Sequence, residues 1–203
     1  MFDYIGENVS FVPNLSWTIF NFSEMLRDFI NNSREKGAAI SYVFIIFAAS
    51  ESYVNELANM IYAHFPQEAK NFDKFRYDVI KKYKLVIEKN GGLDEESEKF
   101  LESLKLLENL RGYLVHFKPV EEKPSDKRKD FEEKLAEKFP MSEGNVFTDR
   151  VMNDECLDWA RETVLKGIRI LYMRNLDPAD PSWVDELDPK RFSGGLSIRS
   201  NKQ

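Results

Sequence analysis

Residues 38–65 read AAISYVFIIFAASESYVNELANMIYAHF, an apolar stretch between Gly37 and Pro66 that neither helix breaker interrupts. Proline is excluded from helix interiors, so a run of this length and composition reads as one long helix. Working outward, the same punctuation divides the rest of the chain. Prolines stand at 13, 66, 119, 124, 140, 178, 181 and 189. Residues 14–36 make a first helix that stops at Gly37. Residues 67–90 make a third, ended by Gly91-Gly92. A fourth starts in the acidic Asp94-Glu95-Glu96, which suits the positive end of a helix dipole, and stops before Pro119. Residues 125–139 make a short charged helix, and residues 151–174 a last long one. Alternating apolar runs are short and no hairpin turn joins them, so strands are not expected. The fold class is all-α: a bundle of about five to six helices over residues 1–175. An irregular, Asp/Pro-rich and then Ser/Gly-rich tail follows over 176–203.

The stripes within these helices define the expected core. In the last helix Leu157, Ala160, Val164, Ile168, Leu171 and Tyr172 follow helical spacing. In the first, Trp17, Phe20, Met25 and Phe29 do the same. Both stripes are read as bundle core. Sixteen Phe, eight Tyr and three Trp suffice for a large core. Lysine and arginine number 29 against 35 aspartate and glutamate, a formal net charge of −6. That balance excludes a broadly basic nucleic-acid surface; any RNA contact has to be local. The single cysteine, Cys156, forbids an internal disulfide and makes a reducing cytoplasm the expected compartment. The N-terminus has neither the basic start nor the apolar run of a signal peptide. The most apolar stretch, residues 40–49, is too short to span a bilayer, so no membrane role is expected.

Two charged residues break the stripes. Glu51 lies three residues after Ala48 and four after Phe47, so it shares their face. Arg111 shares a face with Leu104, Leu107 and Leu114. A buried lone charge is expensive, so the economical expectation is that Glu51 and Arg111 pair across two packed helices. His116 falls in the last turn of the fourth helix, just before Phe117-Lys118-Pro119. A helix C-terminus favours the imidazolium and raises the imidazole pKa. As a bare observation, a histidine there is more often a cap than a catalyst. His64 belongs to no constellation. No Cys/His cluster has metal-ligand spacing, and no glycine-rich phosphate loop occurs, so no metal or cofactor is expected. Lys81, Lys82 and Lys84, and Lys127, Arg128 and Lys129, are read as solvated helix faces.

Leu110-Arg111-Gly112-Tyr113-Leu114-Val115-His116 resembles the Arg-x4-6-His motif of HEPN domains, placed as there at the end of a long bundle helix. The run from Phe47 through Glu51 and Asn55 to Leu57 is similar to a second HEPN helix, and Cys156 through Leu171 to a closing one. The resemblance implies a helical bundle, usually a homodimer, whose active members are metal-independent endoribonucleases of toxin or defence systems. Carried onto this chain, Arg111 and His116 form the catalytic pair. The 2′-hydroxyl of RNA attacks the adjacent phosphate, His116 transfers a proton and Arg111 steadies the phosphate charge. Glu51 orients Arg111 and Asn55 supports the site. RNA and an antitoxin protein are the implied partners. Gly112 departs from the pattern, which usually has a polar residue there, often Asn. The competing reading is a non-catalytic helical interaction module, with Arg111–Glu51 as a structural ion pair and His116 as a cap.

Overall fold

The computed structural model describes residues 15–33, 36–62, 72, 74, 75, 78–115, 126–144 and 146–175. Among them are seven helices and no strand: α1 (Leu15–Ser33), α2 (Lys36–Tyr62), α3 (Val79–Lys89), α4 (Glu95–Val115), α5 (Asp126–Ala136), α6 (Phe147–Val151) and α7 (Asp154–Asn175). The chain is all-α, as its punctuation predicts. His64, His116 and the tail over 176–203 lie outside the described residues.

α2 is the axis of the bundle. Tyr42, Val43, Ile46, Ala49, Val54 and Ala58 are fully or almost fully buried along it, and α1, α3, α4 and α7 all pack against it. By length and composition Gly37–Asn59 is apolar enough to cross a membrane, a longer stretch than residues 40–49 suggest. Half of it is buried inside the bundle, which is where the burial of a core helix would place it.

Local chemistry sets the helix ends. Asp78 caps α3 by accepting from the Lys81 amide at 2.9 Å. Lys74 and Phe75 form a turn, so the expected helix over 67–90 is not continuous: α3 starts at Val79, and residues 67–71 lie outside the described residues. Gly91 and Gly92 stop it as expected: both have positive φ, 116° and 85°, and the Gly92 amide donates back to the Ile87 carbonyl. Asp94 caps α4, accepting from the Ser97 amide at 2.8 Å. Arg174 at the far end of α7 donates to Asp94 and to the Gly92 carbonyl, and so ties the start of α4 to the end of α7. Hydrogen bonds from Ser97 hold the Asp94 carboxyl below its ordinary pKa, and Arg174 adds to the effect. The five-residue α6 was not expected; it is too short to carry a periodicity of its own.

α1 and α2 form an antiparallel hairpin. The Glu56 carboxylate of α2 accepts from the Leu15 and Ser16 amides (3.1 and 2.9 Å) and from the Ser16 hydroxyl (2.8 Å), capping α1 from outside. Arg27 bridges Asp154 and Asp158 of α7, and Arg161 of α7 grips Glu24. These contacts fix how α1 is rotated about its axis. The last-helix stripe is core as read, with Leu157, Ala160, Val164, Ile168 and Leu171 buried. The first-helix stripe is not. Phe20 is buried, whereas Met25 and Phe29 are 63% and 52% exposed. α1 carries more apolar residues than one face holds, and composition does not say which face turns inward.

Candidate functional site: the groove between α1, α2 and α4

Phe44, Ala48, Glu51 and Asn55 follow one another at i, i+4, i+7 and i+11, so they run along one side of α2. Phe20 and Ser23 seat α1 against α2, and Leu104, Leu107 and Leu114 are the buried residues of α4 on Arg111's side. Between the three helices lies an open groove of about 630 Å³. Ile19 and Phe22 of α1, Phe44, Phe47 and Glu51 of α2 and Arg111 of α4 are among its lining residues.

Arg111 and Glu51, singled out from sequence, therefore do meet at one groove. They do not form the expected ion pair. The guanidinium of Arg111 lies over the Phe47 ring, 5.1 Å from its centroid, and 6.0 Å from that of Phe44. No carboxylate among the described residues pairs with it. Its electrostatic partner among the described residues is the electron-rich face of an aromatic ring, and none of them supplies a matching acceptor to the N–H fork.

Glu51 turns to a different cation. Lys82 of α3 is 4% exposed, and its ammonium lies 3.8 Å from the Glu51 carboxylate and 2.9 Å from the Asn55 Oδ1. The same ammonium sits over the Phe72 ring at 5.7 Å. Lys82 is thus not part of a solvated face: Val79, Lys82, Tyr83 and Val86 are all buried, at helical spacing. That spacing was the available signal, hidden by the neighbouring Lys81 and Lys84. Beside it, Tyr83 donates to the Ser50 carbonyl at 3.1 Å and shares a 2.8 Å hydrogen bond with the Ser50 hydroxyl. Complete burial pushes the Tyr83 phenol pKa well up, against a smaller opposing effect of the Ser50 hydrogen bond. Glu51, Asn55, Lys82 and the Ser50–Tyr83 pair form a fixed polar layer behind the groove.

The end of α4 is held from its other side. Tyr113 stacks on Phe131 of α5 with ring centroids 4.5 Å apart, and both contact Phe147 of α6. Arg128 of α5 covers the Phe147 ring at 5.1 Å and pairs with Glu132, so it too is committed to structure. This aromatic cluster anchors the turn that presents Arg111. Gly112 stands between them, and a Cβ added there would meet nothing within 4 Å. Packing does not require glycine at that position. Cys156 is buried, and burial pushes its thiol pKa far up, so it is not an activated nucleophile. Among the described residues no group of three or more His, Cys, Asp or Glu side chains is placed to hold a metal ion. The chain matches no protein-family model, no curated protein and no solved structure.

Proposed function

We propose that the chain is a metal-independent endoribonuclease of the HEPN kind, with Arg111 and His116 as its catalytic pair. One observation carries the reading: Arg111 lines an open groove, stacked on Phe47, without a carboxylate partner among the described residues. A structural arginine in an apolar setting normally takes a carboxylate, and Glu51 at the same groove is spent on Lys82 instead. The guanidinium is therefore available to an anion brought from outside, and its fork matches a phosphodiester. His116 follows five residues later in the sequence.

In the proposed reaction the 2′-oxygen attacks phosphorus while the bond from phosphorus to the 5′-oxygen breaks. A base takes the 2′-hydroxyl proton and an acid protonates the departing 5′-oxygen. His116 serves one of these roles. Arg111 balances the charge that develops on the non-bridging oxygens. Asn55 and Glu51 act through Lys82, which holds the α2 wall of the groove. The test is incubation of single-stranded RNA with the chain in excess chelator, beside Arg111→Ala and His116→Ala. Cleavage by the native chain, reduced at least a hundredfold in both variants, is the expected result. Cleavage undiminished in both overturns the proposal.

A second reading, a non-catalytic helical interaction module, is favoured by a different observation: the exposed apolar residues of α1. No RNA cleavage at all, with Arg111→Ala folding normally, would favour it.

A further inference from the structure

A second groove, of about 560 Å³, lies along α4 and α7 and shares no lining residue with the groove of Arg111 and Glu51. Phe100 of α4 and Ile170 of α7, both buried, form its floor together with the half-buried Trp159. Its acidic residues are all committed: Asp94 to Arg174, Glu96 to Lys166 and Glu162 to Arg161. Two of its cations are not. Lys138, just past α5, and Arg169 of α7 are exposed, and neither has an ion pair among the described residues. The groove therefore combines an apolar floor with unpaired positive charge, on a chain whose formal net charge is −6. Such a lining fits an acidic segment with an apolar residue at its middle.

The chain itself carries a segment of that chemistry at the mouth of the groove. α7 ends at Asn175, directly after Arg174, which lines the end of the groove. The sequence then runs Leu176-Asp177-Pro178-Ala179-Asp180-Pro181-Ser182-Trp183-Val184-Asp185-Glu186-Leu187-Asp188. Asp177, Asp180, Asp185, Glu186 and Asp188 are accompanied by no base, and Trp183-Val184 stands between the two acidic groups. Pro178 and Pro181 oppose a further helix and favour an extended course. The reach is sufficient. Trp159 stands sixteen residues before Asn175, which is about 24 Å along the helix axis. The stretch from Leu176 to Glu186 spans up to about 36 Å when extended.

We infer that residues 177–188 fold back along α7 and occupy this groove, with Trp183 on its apolar floor. Asp177 and Asp180 then come opposite Arg169, and Asp185 and Glu186 reach toward Lys138 at the far end. A tethered segment needs little affinity of its own, because the short link to α7 holds it at roughly millimolar effective concentration. An RNA strand or an acidic segment from another protein has to displace it first. The inference concerns a different face from that of Arg111, and depends neither on RNA cleavage nor on the interaction-module reading.

The test uses the full chain. Glu186 is the only glutamate after residue 175, so a glutamate-specific protease, followed by mass, reports on this segment directly. Arg169→Asp with Lys138→Asp reverses both cations at exposed positions and adds no new glutamate. Cleavage after Glu186 is expected to be at least tenfold faster in that variant than in the native chain, with circular dichroism unchanged. Because Cys156 is buried, Ser103→Cys on the groove wall with Ser182→Cys supplies a second readout that does not depend on the reversed variant folding. Mild oxidation should join the two positions within one chain. Equal cleavage rates in the native and reversed chains overturn the inference, and so does failure of that disulfide to form. If Glu186 is cut equally fast in both while a single-stranded RNA loses affinity on the reversal, the groove belongs to an outside anion and the inference falls.

Discussion

Two glycines show how differently the two sides of the bundle are built. At Gly167, α7 runs so close to its neighbours that an added Cβ would clash with the edge of the Phe100 ring of α4 and stand 3.2 Å from the Tyr83 ring of α3. At Gly112, near the end of α4, an added Cβ would meet nothing within 4 Å. Where α3, α4 and α7 meet, the interior is closely packed: Tyr83 and Phe100 meet edge to face at 5.1 Å, and the start of α4 is tied to the end of α7 by Arg174, although a second groove of about 560 Å³ lies along α4 and α7. The α1–α2–α4 side is open, with Arg111 facing an aromatic wall rather than a carboxylate. Among the described residues the α3–α4–α7 contact is close-packed, whereas Arg111 has no carboxylate partner and the apolar stripe of α1 is exposed.

The contrast can be broken by substitutions on both sides. The largest stability effect is expected for Gly167→Ala. Overpacking costs about 3 kcal/mol and the gain in helix propensity returns roughly 1, so urea unfolding should register a net loss of about 2 kcal/mol. A neutral result would mean that the close approach of α7 is not real. Next comes Lys82→Met, which keeps the apolar stem but strips Asn55 and Glu51 of their buried partner. Since Glu51 is partly solvated, a loss of about 1.5 kcal/mol is expected in the same assay, and none would remove the case for a fixed polar layer. Gly112→Ala should change sign and stabilise by about 0.7 kcal/mol, because it relieves a helix glycine in open space. A loss there would show that the groove side is packed after all.

The smallest expected effect is a pH dependence. The carboxyl of Asp94 is held below its ordinary pKa, so what it contributes is fully present above the usual aspartate range. That contribution is lost as the pH falls through the depressed native value. The melting-temperature difference between the native chain and Asp94→Asn should therefore be constant near neutrality and shrink in acid. A difference that persists unchanged to low pH would show that the charge of Asp94 is not what matters.

What could be read from the chain in advance follows the same division. The end of α3 and the start of α4 were legible because Gly91-Gly92 and an acidic first turn mark them, and α7 presents a single apolar stripe, whereas Gly37, read as the stop of the first helix, falls in the first turn of α2. The groove residues Arg111 and Glu51 were legible as charges standing in apolar spacing. Their partners were not. Periodicity places Glu51 on a face of α2, but it cannot say whether the cation of α3 or of α4 reaches it. Lys82 won that competition because it is the more deeply enclosed, against Val79, Tyr83 and Val86, where an unpaired ammonium would cost most. For α1 the apolar pattern covers two faces, and only the ion pairs from Arg27 and Glu24 to α7 decide which one turns outward.

The most direct measurement on the proposed chemistry is the identity of the cleaved ends, with an RNA and the DNA of the same sequence incubated in chelator. Attack by the 2′-oxygen requires a 2′,3′-cyclic phosphate on one fragment, a 5′-hydroxyl on the other, and intact DNA. That is the result expected, with neither product formed by Arg111→Ala. Cleaved DNA, or RNA fragments carrying a 5′-phosphate, would contradict it.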